Sequence, residues 1–453
     1  MRQSKIATCV LLAGLILAVC FVPAQAQLPA PITGRRSSLM GIETANLTAA
    51  NVQQIRAAGA SWVRRNALLW SAIEPAEGDR NWSEAASLEA EMKLAAARGL
   101  NFILIVRSTP AWAQAQSGVS CGAIMPDKLP AFGAFMRDVV SRYAKTPYNV
   151  RFYELWNEPD VDPSRVPPDN IFGCWGDKND PYYGGGRYAA ALKAAYPQVK
   201  AASKRAQLWL GGLLLDCDPD KPPAGKDCSS SRFFEGVLRA GGTAYFDAVS
   251  FHAYDFYDWA LGRYANPNWS SSSASTGPVI AAKAHFLRSV LAAYDAPAKP
   301  LINTESGVLC WDCETSPPDF EMTKAWYVPQ AFAMARELRL MGNVWYSWEG
   351  WFQTQLAHGN GDLTPAYTAF QVASRTIGQA TSMQPKTDID GMRGYQFNAG
   401  SARYWLLWSV DGQSRQINAP VLNGRAFDHL GQPVPVNGQR VLVGMNPIYI
   451  QVR

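Results

Sequence analysis

The sequence predicts an α/β chain, a (β/α)8 TIM barrel over residues 38–378, followed by a small antiparallel β domain over residues 384–453. Three observations carry this. Short apolar runs alternate with longer amphipathic ones until eight of each have passed, over roughly 340 residues, as a barrel with long βα loops requires. Past Gly378 the segments become short, with the turn pairs Asp411-Gly412, Asn423-Gly424 and Asn437-Gly438 between them, the mark of antiparallel strands. The loop after the first strand, Thr44-Ala45-Asn46-Leu47, lacks the glycines that an open doubly wound sheet uses to cradle phosphate.

The chain opens with Arg2 and Lys5, an apolar run Ile6–Val22, and Pro23-Ala24-Gln25-Ala26. A positive start, an apolar stretch and an A-x-A ending predict a secretory signal peptide over residues 1–26. No later run reaches the roughly 18 apolar residues of a membrane helix. The predicted strands are Leu39–Thr44, Ser61–Asn66, Asn101–Val106, Val150–Trp156, Leu208–Leu215, Phe246–His252, Pro300–Thr304 and Asn343–Ser347. The helices between and after them are Ala49–Ala58, Ser83–Ala97, Leu129–Tyr143, Tyr188–Lys204, Phe233–Arg239, Ala281–Tyr294, Thr323–Met341 and Pro365–Ile377. The β domain reads as a sandwich-like accessory unit, either a structural appendage of the barrel or a carbohydrate-binding module.

Formal net charge is +5, two of the basic residues lying in the leader. So balanced a chain gives no reason to expect a nucleic-acid partner. Six of the eight cysteines lie beyond the leader, and an even number after a signal peptide predicts disulfides. Cys217–Cys228 and Cys310–Cys313 are local pairs, and Cys121–Cys174 joins neighbouring loops. Zinc at Cys310-x-x-Cys313 is the rival reading, but no second CxxC or paired histidine lies near it.

Two glutamates stand at the ends of predicted strands. Glu158 follows strand four in Tyr153-Glu154-Leu155-Trp156-Asn157-Glu158-Pro159, and Glu305 follows strand seven in Leu301-Ile302-Asn303-Thr304-Glu305. Barrel strands converge at their C-terminal ends, so the two carboxyls approach each other across the mouth. Retaining hydrolysis of a glycosidic bond needs such a pair, one to protonate the leaving oxygen and one to attack the anomeric carbon.

Trp-Asn-Glu-Pro after a strand, with a second strand-terminal Glu, resembles glycoside hydrolase clan A, and the resemblance spans the whole barrel. It implies Glu158 as acid/base and Glu305 as nucleophile, with Asn157 on the sugar 2-hydroxyl. It further implies that Arg64, in Trp62-Val63-Arg64-Arg65, holds the nucleophile ionised; an adjacent arginine lowers a carboxyl pKa by about 1–3 units. His252 and Tyr254, two apart on one face of strand six, resemble the clan pair in which the Tyr supports the nucleophile. Trp348, in Val344-Trp345-Tyr346-Ser347-Trp348-Glu349, resembles the platform under the sugar. Thr109-Pro110-Ala111-Trp112-Ala113 resembles family 39, closest to its bacterial exopolysaccharide-degrading members, and brings Trp112 among the substrate-binding candidates.

The implied protein is a secreted, monomeric retaining glycoside hydrolase without cofactor or metal. Its expected partner is a β-linked polysaccharide or oligosaccharide, cleaved within the chain. Exo action, transglycosylation and a catalytically dead binding barrel stay open as alternatives. Glu349 is a third strand-end acid, read as a substrate contact or an ion-pair partner. Loop aromatics Trp175, Tyr182, Tyr183, Trp311 and Trp351 are candidates for flanking sugar subsites or for loop packing.

Overall fold

Eight parallel strands close on themselves in the computed structural model, which describes residues 39–168 and 173–453. The predicted leader, residues 1–26, lies outside the described residues. The barrel strands are β1 Met40–Glu43, β2 Trp62–Leu69, β3 Asn101–Arg107 and β4 Phe152–Asn157. They continue with β5 Gln207–Leu213, β6 Ala248–Tyr257, β7 Leu301–Leu309 and β8 Asn343–Trp345. Neighbours run β5-β4-β3-β2-β1-β8-β7-β6, and β6 returns to β5. The intervening helices are α1 Ala49–Ala57, α2 Ala86–Ala97, α3 Leu129–Tyr143, α4 Gly185–Ala202, α5 Phe233–Arg239, α6 Ile280–Ala293, α7 Pro318–Glu337 and α8 Pro365–Arg375. Among the described residues no helix is long and apolar enough to cross a membrane.

The barrel interior is layered, because alternate residues of each strand face inward. Trp62, Ile103, Trp209, Ala248, Ile302 and Val344 form a buried apolar floor. Two residues beyond Trp62 and beyond Phe152, which packs against this floor, Arg64 and Glu154 replace apolar side chains with charge, both fully buried.

The outline differs from the sequence reading at the rim. β6 and β7 run five residues beyond their predicted ends and pair with each other out to Phe256 opposite Leu309. Glu305 therefore lies inside a strand rather than at its end. A β-bulge brings it to the mouth: Phe251 pairs with Asn303 but His252 with Glu305, which leaves Thr304 as one extra residue in β7. Strict alternation would send Thr304 and Glu305 to opposite faces. The bulge instead lets both side chains reach the interior, where Thr304 bonds Glu154 and Glu305 bonds Arg64.

Past the barrel, a five-stranded antiparallel sheet begins at Ala380 and packs with a three-stranded one. Alternation divides its residues cleanly. Tyr395, Phe397, Leu406, Trp408 and Tyr449 join the barrel's core, while Leu407, Ile448, Ile450 and Val452 join the core shared with Val441 and Val443 of the smaller sheet. The cysteines pair as Cys121–Cys174, Cys217–Cys228 and Cys310–Cys313, so Cys310 and Cys313 bind each other rather than zinc.

Candidate active site

The site is built around one guanidinium. Arg64 is fully buried, and all five of its N–H bonds are occupied. Nε donates to Glu154 at 2.8 Å, Nη1 to Glu43 at 2.7 Å and to Glu305 at 2.5 Å. Nη2 donates to Glu154 at 3.3 Å and to the side-chain oxygen of Asn157 at 2.6 Å. The planar fork thus ties strands β1, β2, β4 and β7 together with charge-assisted bonds. Arg65, the other arginine of the pair, turns outward to Glu91 at 2.8 Å.

Glu305 takes its second oxygen to the hydroxyl of Tyr254, which donates to it. The Tyr254 phenol is pushed well above its ordinary pKa by burial and by the adjacent Glu305 charge, so it keeps its proton. Glu158 follows β4 in a left-handed conformation (φ 47°), with its amide N–H donating to the Gly212 carbonyl at 2.9 Å. Its loop is held by Asp160, which accepts from the amides of Leu214 and Leu215 at 2.9 and 2.8 Å. A left-handed residue that is not glycine is strained, and here the strain aims the carboxyl inward.

His252 lies between the two glutamates. Nδ1 is 2.7 Å from Glu158 Oε1, and Nε2 is 3.4 Å from Glu305 Oε1. One oxygen of each glutamate and a ring nitrogen of His252 all lie within 4.8 Å of one another. That agrees with the roughly 5–5.5 Å carboxyl spacing of retaining enzymes and falls short of the 6.5–9.5 Å of inverting ones. The imidazole passes over Gly212, where an added Cβ would meet Nε2 at 2.1 Å.

The two carboxyls differ in acidity. Burial, then the neighbouring charges of Glu305 and Asp160, push Glu158 well above the carboxylate range. Glu305 is also raised by burial, but against the pull of Arg64 and the hydrogen bond from Tyr254. The sequence led to the expectation of a lowered value there. Burial outweighs the pull of Arg64 there. Glu158 is thus the group that holds the proton. Burial, then the charges of Arg64 and Lys283, keep His252 neutral, its pKa well below the ordinary value.

Six of the eight sequence candidates meet here: Arg64, Asn157, Glu158, His252, Tyr254 and Glu305. Trp348 does not join them. Its ring is buried and stands edge-on to Tyr367, and the aromatic rings next to Tyr254 belong to Tyr346 and Trp351. Trp112 is half-buried between loops, donating to the Glu74 carbonyl at 3.0 Å with its ring edge-on to Trp70. Glu349 is exposed, and its two oxygens accept from Thr44 Oγ1 and the Ala45 amide. Trp175 and Tyr183 are buried packing residues, and Tyr182 lies under Arg239.

Three features escaped the sequence reading. Glu43 and Glu154 are carboxyls of the site, and the signal available was an acid at the end of, or inside, an apolar strand. Gly211-Gly212 interrupts the apolar run of β5, and glycine inside a strand marks close approach of another group.

No protein-family model matches the sequence, and no curated protein does. Solved structures do match. A family 39 glycoside hydrolase from the gut symbiont Bacteroides cellulosilyticus WH2 superposes with a TM-score of 0.67 at 19% identity, over 94% of this chain and 83% of that one. A family 30 subfamily 8 xylanase from Clostridium acetobutylicum gives 0.58 at 12%, over 95% and 100%. A family 51 arabinofuranosidase from Xanthomonas axonopodis pv. citri gives 0.55 at 13%, over 94% and 98%. The chain therefore has the fold shared by these family 39, 30 and 51 glycoside hydrolases of clan A.

Proposed function

We propose that this chain is a secreted retaining glycoside hydrolase that cleaves a β-linked polysaccharide within the chain by double displacement. Glu305 is the nucleophile and Glu158 the acid/base. The observation that carries the reading is the pair itself: two buried carboxyls with oxygens within 4.8 Å of each other, Glu158 pushed well above the carboxylate range and Glu305 bonded to Arg64 and Tyr254, which oppose the rise that burial causes. The leader pattern and the three disulfides support export.

In the first half-reaction Glu158 gives its proton to the leaving oxygen while Glu305 attacks the anomeric carbon. His252, being neutral, accepts the Glu158 proton's hydrogen bond at Nδ1 and carries its own hydrogen on Nε2, facing Glu305. Asn157, its oxygen held by Arg64, has its amide N–H groups left for a sugar hydroxyl. Once the glycosyl-enzyme forms, the negative charge of Glu305 is gone, and it is one of the two charges that keep Glu158 protonated. Glu158 then loses its proton more easily and serves as base for water.

The test is a screen of 4-nitrophenyl β-glycosides and of soluble β-glucan, β-mannan and xylan with wild type, Glu158→Ala and Glu305→Ala. Wild type is expected to release reducing ends. Glu158→Ala should be slower by roughly 10²–10⁴-fold and be rescued by azide on the activated glycoside. Glu305→Ala should be inactive on both. Wild-type rates in both variants would refute the assignment.

A further inference from the structure

A row of aromatic rings leads from the nucleophile to solvent on one side of the mouth. Tyr254, which donates to Glu305, has Trp351 6.0 Å away, centroid to centroid. Trp311 stands edge-on to Trp351 at 6.2 Å and is backed by Phe352, stacked at 4.3 Å. Exposure rises outward, from 8% at Tyr254 to 39% at Trp351 and 54% at Trp311. By contrast, the β4-loop aromatics Trp175 and Tyr183 are buried. Two adjoining indoles left in water forgo apolar burial at about 25 cal/mol per Å², and such patches mark binding surfaces.

These rings are also held in place. Trp311 sits inside the loop closed by Cys310–Cys313, and the Cys310 amide donates to the Phe352 carbonyl at 3.0 Å. The Trp351 amide donates to Thr354 Oγ1 at 2.9 Å. Rings fixed before binding lose little entropy when a ligand stacks on them. The flat C–H face of a pyranose is the natural complement of an indole face. Asp312 and Glu314 are exposed beside Trp311, and their charges oppose an anionic sugar.

We propose that Trp351 and Trp311 form a subsite that stacks the uncharged sugar units next to the cleaved one. The subsite deepens the glycosidase reading and rests on it, since the occupant is the continuation of the chain held at Glu305.

The test compares wild type, Trp311→Ala, Trp311→Phe and Trp351→Ala on two substrates. One is whichever of β-glucan, β-mannan or xylan wild type cleaves; the other is the 4-nitrophenyl glycoside of the same sugar. The alanine variants should raise KM for the polymer about tenfold, and Trp311→Ala, one ring further from the nucleophile, should leave kcat/KM on the nitrophenyl glycoside within about twofold, with Trp311→Phe largely restored. For Trp311→Ala, equal losses on both substrates, or none on either, would overturn the subsite. Gel retardation by the same three polymers reads it without catalysis: wild type should be retarded and Trp311→Ala should not. If wild type is retarded but cleaves nothing, the glycosidase reading fails while the subsite stands. If no polymer retards wild type, the subsite fails.

Discussion

At the scale of single residues, the site turns on how one cation is shared. Arg64 serves three glutamates and an asparagine, so full ionisation of all three carboxyls would leave the cluster net negative in a low-dielectric interior. The molecule relieves this at Glu43, whose pKa is pushed up to about 8, first by burial and then by Glu305 and Glu154, despite Arg64. A carboxyl raised from its ordinary value of 4.5 binds its proton more tightly folded than unfolded. Its stabilisation is therefore present at low pH and is lost progressively as pH rises from about 4.5 to about 8. Glu43→Gln should mimic the protonated acid, keeping an acceptor for Arg64 and holding kcat/KM at pH 6 within about threefold of wild type. Its thermal midpoint should gain on wild type between pH 5 and pH 9. Melting curves that stay parallel across that range would show that Glu43 does not titrate in this way. Arg64, Glu158 and Glu305 were legible in the sequence because each adjoins an apolar strand in a recognisable pattern. Glu43 was not, since β1 carries no such pattern and its partners come from β2, β4 and β7.

At the scale of elements, two departures from regular strands create the active geometry. The bulge at Thr304 turns Glu305 inward, and the glycine pair in β5 makes room for His252. Gly212 donates to the Glu154 carboxylate at 2.6 Å and accepts from the Glu158 backbone amide, so it braces both residues while leaving space above it. In Gly212→Ala the new Cβ would meet His252 Nε2 at 2.1 Å and Glu154 Oε1 at 2.8 Å. Overpacking of this kind costs about 1–3 kcal/mol, and the displaced imidazole leaves Glu158 without its partner. The variant should fold with a lower denaturation midpoint and lose at least tenfold in kcat. An unchanged kcat would mean that the position of His252 is not needed. Strand and helix order was readable from apolar periodicity, because eight βα units repeat one pattern. The extensions of β6 and β7 were not readable, since they depend on pairing between segments some 50 residues apart. Nor was the bulge, which shifts register without changing composition.

At the scale of the whole molecule, the barrel's role is convergence. Residues from β1, β2, β4, β6 and β7, scattered from Glu43 to Glu305, meet because parallel strands present their C-terminal ends at one face. The C-terminal sheet gives one face to the barrel core and the other to its own small sheet, so its apolar alternation is used up by packing on both sides. Chain architecture could be read from the sequence; the packing of each aromatic could not. Burial decides whether a tryptophan is core or cleft, and sequence spacing does not report burial: Trp348 and Trp175 went to the interior, Trp311 and Trp351 to the rim. The most direct test of the double-displacement account is mass spectrometry after incubation with an activated 2-deoxy-2-fluoro β-glycoside of the sugar cleaved. One covalent glycosyl group is predicted, on the peptide that contains Glu305. Attachment at Glu158, or turnover that first releases the inverted anomer, would contradict the account.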